Sequence, residues 1–226
     1  LIYMVRSTTV QNAKALLKRV DNIAKGAALM TDTQVTSRQI DGTASTLSNQ
    51  TIENVLHANL CAAPLPEYSE DEIIYAKQLR ATYDTSMLPG TRTYEDFKLK
   101  KFILEKTENG TLPLNNFVFP HTPCNPFTPG STDVGDVSWL TPTAQFSAAT
   151  WASNCPGHSW QMVATGKTSF AHKAMLYAGM VLAGTAADLM TSPDILTDAR
   201  EEFKETAASG YDCPLEPDLV AEPAAI

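Results

Sequence analysis

Two short stretches hold the residue types that chemistry needs. The first, TPGSTDVGDVSW, runs from Thr128 to Trp139 and places Ser131, Thr132, Asp133 and Asp136 in a glycine-punctuated loop. Small hydroxyl residues and short carboxylates in a loop bind a cation, position a substrate, or build Asx-turns. Taken alone, the turn reading is the commoner one. The calcium-loop template does not fit, because no Glu stands at its twelfth position. The second stretch, CPGHSW, runs from Cys155 to Trp160. Its Pro-Gly turn exposes the backbone and presents His158, and a neutral imidazole is the commonest metal ligand. Cys155 stands three positions earlier, so C-x-x-H is half of a structural zinc site. No second C-x-x-C or H-x-x-H completes it. One ligand does not hold a metal, so any site draws on residues elsewhere.

The other histidines are weaker candidates. His172 lies near the N-terminal end of an apolar helix, where the helix dipole disfavours an imidazolium. It reads as a structural or supporting residue. His57 and His121 carry no motif, and His57 falls on a solvated helix face. No G-x-S-x-G precedes a helix, and neither G-x-G-x-x-G nor a P-loop is present. A serine nucleophile elbow and a phosphate-cradling loop are thereby excluded.

The elements that must position these loops alternate between strand-like and helical patterns. LIYMVRS reads as a strand, and QVTSRQIDG from Gln34 as a second. Between them Val10, Ala13, Leu16, Leu17, Val20, Ile23, Ala24 and Ala27 fall at helical spacing, which predicts an amphipathic helix over 9–31 capped by Thr8 or Thr9. Further helices are expected over 50–61 and after Ser69, whose spacing from Glu72 is that of a capping box. Another runs from Thr93 to the Glu108-Asn109-Gly110 break. The last two cover 168–190 and 193–208, with Pro193 at the first helical position. FVFP from Phe117 and TAQFSAAT from Thr143 read as short strands, the second buried. The tail, YDCPLEPDLVAEPAAI, has three prolines and reads as extended.

Composition narrows the class. The chain has 226 residues, 43% of them apolar, which suits one large or two small globular domains. A net charge of −8, with no block of Lys and Arg, argues against nucleic acid as a partner. The longest apolar run, residues 174–187, falls short of the roughly 20 residues that span a bilayer. It reads as a helix buried on most sides, and no membrane partner is expected. Cys61, Cys124, Cys155 and Cys213 are too few and too scattered for a disulfide scaffold. Reduced thiols and a cytoplasmic location follow.

GSTDVGDVSW, a strand, CPGHSWQ and the helix AHKAMLYAGMVLA stand in that order along the chain. The order resembles the C-terminal half of the aminoacylase/carboxypeptidase group of dinuclear metallohydrolases, and within it the branch that cleaves p-aminobenzoyl-glutamate and related amides. YMVRS, LSNQTIENV, PEYSEDEI and YDCPLEPD extend the likeness over nearly the whole chain. The resemblance implies an α/β fold. Residues 1–45 would be the second half of an α+β lid, the dimerisation domain, and residues 46–226 the C-terminal part of a catalytic α/β metallopeptidase domain. It implies that the chain begins inside the lid and lacks an N-terminal half holding most metal ligands and the glutamate base.

The activity so implied is metal-dependent hydrolysis of the amide of an N-acyl or aminobenzoyl amino acid, with two divalent ions, Zn or Mn, in the complete enzyme. His158 would be a metal ligand. Arg6 would pair with a substrate carboxylate, and Ser131, Thr132 and Asp133 would form the site loop; a solvated strand residue is an equally good reading of Arg6. A homodimer or hetero-oligomer is implied as well. Two other readings stay open: a non-catalytic binding or assembly subunit of the same fold, and an α/β protein in which Cys155 and His158 are merely structural.

Overall fold

The computed structural model of the chain describes residues 1–85, 97–121, 130–217 and 219. Among them stand eight helices: α1 (Val10–Met30), α2 (Gln50–Ala62), α3 (Glu70–Arg80), α4 (Phe97–Lys106), α5 (Val134–Ser138), α6 (Trp160–Thr165), α7 (Ser169–Thr191) and α8 (Pro193–Thr206). Residues 93–96 of the helix expected from Thr93 lie outside the described residues, as do Cys124, Thr128 and Pro129, Asp218, and the tail from 220 onward.

The long helices follow their local signals. Thr9 caps α1 by accepting a hydrogen bond from the Asn12 amide at 3.1 Å. Ser69 and Glu72 form the expected capping box at α3. Thr168 caps α7 through the Ala171 amide. α4 stops at Lys106, and Glu108, Asn109 and Gly110 then turn through left-handed backbone. Arg80, the last residue of α3, donates to the carbonyls of Gly110, Thr111 and Leu112 at 2.5, 2.6 and 2.7 Å and fixes that turn.

The α/β class is overturned: the described residues contain no strand. None of LIYMVRS, QVTSRQIDG, FVFP and TAQFSAAT pairs with another run. β-propensity is a fitness for pairing, and without a partner's amides and carbonyls it makes no sheet. Leu1, Ile2, Tyr3 and Met4 lie exposed instead. With no sheet beneath it, α1 leaves Leu16, Leu17 and Val20 half-buried and Ile23 exposed. α7 also departs from expectation. Phe170, Ala171, Ala174, Tyr177, Val181 and Thr185 are buried along one side, while Met175, Leu176, Met180, Leu182 and Met190 are exposed on the other.

The chain divides into two compact units. One comprises Leu1–Asn49, Pro129–Thr143 and Ala199–Ile226, and the other Gln50–Thr128 and Ala144–Asp198. In the first, Lys14 reaches Asp212 and the Cys213 carbonyl, Gln39 donates to the Pro214 carbonyl, and buried Asn49 donates to the Ala199 carbonyl at 2.9 Å. In the second, two apolar clusters form the core. Ala76, Leu79, Leu114, Ala152, Phe170 and Ala171 make one. Leu56, Tyr177 and Val181 make the other, covered by Ala144, Phe146 and Ala148. The Tyr177 hydroxyl donates to the Leu60 carbonyl at 2.6 Å, tying α7 to α2.

Candidate functional site

In the first unit the GDVSW stretch grips the chain at residues 44–47. The Asp136 carboxylate accepts from the Ala44 amide at 3.2 and 3.3 Å, and from the Tyr211 hydroxyl at 2.8 Å. The Ser138 hydroxyl accepts from the Leu47 amide at 2.8 Å, and the Trp139 indole donates to the Ser45 carbonyl at 2.8 Å. Gly135 is buried, and a Cβ there would overlap the Ala44 carbonyl oxygen. This half of the signature is a structural brace. Burial, the Cys213 thiol and the Asp136 carboxylate together push the Tyr211 phenol above its ordinary range.

The brace positions the residues just ahead of it. Ser131 and Asp133 are exposed and Thr132 is half-buried. The Thr132 hydroxyl donates to Asp133 Oδ1 at 3.1 Å, and Asp133 makes no capping bond to α5. Arg6 Nη1 donates to Ser131 Oγ at 3.3 Å, across 125 positions of sequence. Two residues singled out separately in the sequence are thus neighbours, with an exposed guanidinium beside a hydroxyl-carboxylate loop. The Nε and Nη2 donors of the same guanidinium rest on Met4 Sδ at 3.0 and 2.9 Å, a weak acceptor that a bidentate carboxylate would displace.

In the second unit the CPGHSW loop rises from a fixed base. Ala152 and Ser153 are buried. The Ser153 amide donates to the Pro113 carbonyl and its hydroxyl to Asn115 Oδ1, each at 2.9 Å, and the Tyr83 hydroxyl donates to the Ser153 carbonyl at 2.9 Å. Burial, reinforced by Cys155 and opposed by Arg80, pushes the Tyr83 phenol up to about 12. Ser159 then caps α6 through the Met162 amide and donates to the Pro156 carbonyl.

His158 precedes that cap with φ 56°, in left-handed backbone that a non-glycine residue seldom adopts. It is exposed, and its ring makes no hydrogen bond among the described residues. Strained backbone of this kind costs on the order of 1 kcal/mol or more and gathers at functional positions. Burial raises the Cys155 thiol pKa, and a hydrogen bond from Ser159 opposes part of that rise. Among the described residues no group of three or more His, Cys, Asp or Glu side chains is placed to hold a metal ion. The described residues therefore offer His158 as a single donor and do not make a metal centre by themselves.

His57 is not on a solvated face. Its ring stacks on that of His121 with centroids 5.5 Å apart, and its Nε2 lies 2.9 Å from the Phe119 carbonyl oxygen. His121 Nε2 meets Gln50 Nε2 and lies 3.7 Å from Glu53. Both rings line a cavity of about 410 Å3, together with Leu56, Phe146 and Tyr177. One signal was available in sequence: Glu53, His57 and Cys61 recur at i, i+4 and i+8 and so share a face of α2. His121 comes from a distant segment and gave none. His172 is exposed on α7.

No protein-family model matches the chain. No solved structure matches it significantly. The chain is 33% identical over 231 aligned residues to a subunit of the p-aminobenzoyl-glutamate hydrolase of Escherichia coli (strain K12). The alignment covers 98% of this chain and 47% of that protein, so the chain spans about half the length of the curated relative it matches. This bears out the resemblance carried by GSTDVGDVSW and CPGHSWQ.

Proposed function

We propose that this chain is part of an amidohydrolase that cleaves the amide bond of an N-acyl or aminobenzoyl amino acid such as p-aminobenzoyl-glutamate. The observation that carries the reading is the 33% identity along 98% of the chain to a protein named for that hydrolysis. The relative is named as one subunit of its enzyme, so a partner subunit belongs to the proposal, in a homodimer or a hetero-oligomer. His158, turned outward on a fixed loop, gives one ring nitrogen to a divalent-metal site completed by residues outside this chain. Bound Zn or Mn supplies Lewis acidity toward water and the amide carbonyl. Arg6, beside Ser131, pairs with a carboxylate of the substrate. The free thiols of Cys61, Cys155 and Cys213 suit a reducing, cytoplasmic setting.

The test is His158→Ala in the complete hydrolase. Metal content and turnover of p-aminobenzoyl-glutamate are expected to fall together, turnover by at least about a hundredfold, the upper end of what losing only a ligand's outer-shell partner costs. Full metal content with undiminished turnover would sink the assignment. Arg6→Ala is expected to raise KM more than it lowers kcat.

A further inference from the structure

Two residues of the loop that carries CPGHSW sit in left-handed backbone, Asn154 with φ 62° and His158 with φ 56°. Such conformations persist where the surrounding structure over-determines them. The bonds inside the loop close only local turns. The Cys155 amide donates to the Ala152 carbonyl at 3.1 Å, and the Ser159 hydroxyl to the Pro156 carbonyl at 2.6 Å. The pose of the loop as a whole is therefore set from outside it.

That hold comes from the short segment that follows α3. Tyr83 Oη donates to the Ser153 carbonyl at 2.9 Å, and Asn154 Nδ2 donates to the Thr85 carbonyl at 3.4 Å. Beyond His158, the buried Gln161 donates from Nε2 to Thr82 Oγ1 at 3.3 Å. Residues 82–85 thus grip the chain five and four positions before His158 and three positions after it. The grip is anchored in turn. Thr82 Oγ1 donates to the Leu79 carbonyl of α3 at 2.7 Å. Arg80 fixes the carbonyls of 110–112, and Pro113 and Asn115 just beyond them accept from the Ser153 amide and hydroxyl. The end of α3 reaches Ser153 by two routes, directly through Tyr83 and around through 110–115. With burial, and then the neighbouring Cys155, pushing it up to about 12, the Tyr83 phenol remains a donor at any pH an enzyme meets.

We propose that Tyr83 is a positioning residue for His158: by holding the Ser153 carbonyl it fixes the loop in the pose that presents the imidazole to a divalent metal ion. Thr82 completes the hold from the other side through Gln161. A ligand on a loop that is already ordered binds without the cost of ordering it, and a loosened loop gives up affinity. The proposal rests on the reading of His158 as a metal ligand.

The test uses Tyr83→Phe, which removes one hydroxyl, and Thr82→Val, which removes one acceptor, both with side-chain shape nearly kept. In the whole chain, the bonded amides of Ser153, Cys155 and Met162 are expected to exchange about tenfold faster in these variants, with those of α2 and α7 unmoved. In the complete hydrolase, titration with Zn²⁺ alone is expected to show affinity reduced about ten- to a hundredfold in Tyr83→Phe, as when a ligand loses the partner that orients it. Turnover is expected to fall through kcat with KM unmoved. Val181→Ala, in the other apolar cluster, is the control for stability: its cavity lowers the thermal midpoint and is expected to leave Zn²⁺ affinity unmoved. Loop exchange unchanged in Tyr83→Phe overturns the proposal, as does an equal loss of affinity in Val181→Ala. Zn²⁺ retained in His158→Ala overturns the underlying reading and this proposal with it. Zn²⁺ lost in His158→Ala but bound as tightly as by the parent in Tyr83→Phe overturns this proposal alone.

Discussion

Lys173 Nζ lies 2.7 Å from Glu72 Oε2 and joins the first turns of α7 to the first turn of α3. Glu72 is only 6% exposed, yet its carboxylate also accepts from the Ser69 amide at 2.7 Å and the Ser169 hydroxyl at 2.5 Å. Burial alone would raise its pKa. The hydrogen bonds from Lys173, Ser169 and Ser69, with the Lys173 charge, outweigh burial and hold it at about 2.

The consequence is a pH-dependent share of stability. The folded pKa lies below the unfolded value of about 4.3, so the contribution is full above that value and is lost as pH falls toward about 2. Roughly two pKa units correspond to about 3 kcal/mol as an upper figure. Glu72→Gln is therefore expected to cost about 2–3 kcal/mol at pH 7, and the gap from the parent chain to narrow by about 1.5 kcal/mol at pH 3. Urea denaturation at the two pH values measures both numbers. A gap that stays constant with pH would show that the carboxylate is not what Lys173 stabilises.

The brace around Asp136 makes a second expectation. At Gly135 an added Cβ meets the Ala44 carbonyl oxygen, a backbone atom that cannot swing aside. Gly135→Ala is expected to destabilise the chain by about 1–3 kcal/mol, as overpacking does. Asp136→Ala leaves the Ala44 amide and the Tyr211 hydroxyl without their acceptor and is expected to cost a similar amount. The Tyr211 phenol should then titrate lower, by ultraviolet absorbance, because one of the groups that raise it has gone. If Asp136→Ala unfolds at the parent's denaturant concentration, the brace contributes nothing.

The helices were legible because their signals are local. Thr9, Ser69 and Pro193 mark helix starts within a few residues, and the apolar spacing of α1 needs no distant partner. The strands were misread for the opposite reason. LIYMVRS and TAQFSAAT have β-branched and aromatic residues, but a strand is a relation between two segments, and composition names only one of them. The signature loops were legible in part. His158 stands exposed after its Pro-Gly turn, and Arg6 meets Ser131. The bracing role of Gly135, Asp136, Ser138 and Trp139 depends on where residues 44–47 pass, which no spacing within the motif encodes. The His57–His121 stack escaped for the same reason.

The final expectation concerns activity of the chain by itself. Hydrolysis at a metal centre needs several donors around the ion and a base within hydrogen-bond reach of the water. Among the described residues His158 stands without a second donor set, and no group of three ligating side chains is placed to hold an ion. The Glu53–His121 contact at 3.7 Å joins α2 to the segment ending at His121, whose ring already meets Gln50 and stacks on His57. Residues 1–226 alone are therefore expected not to hydrolyse p-aminobenzoyl-glutamate in the presence of added Zn²⁺ or Mn²⁺, while the complete hydrolase does. The assay follows release of p-aminobenzoate from equal amounts of each. Metal-dependent turnover by the isolated chain at a rate near that of the complete enzyme would mean that the catalytic groups lie within these residues and have been misassigned.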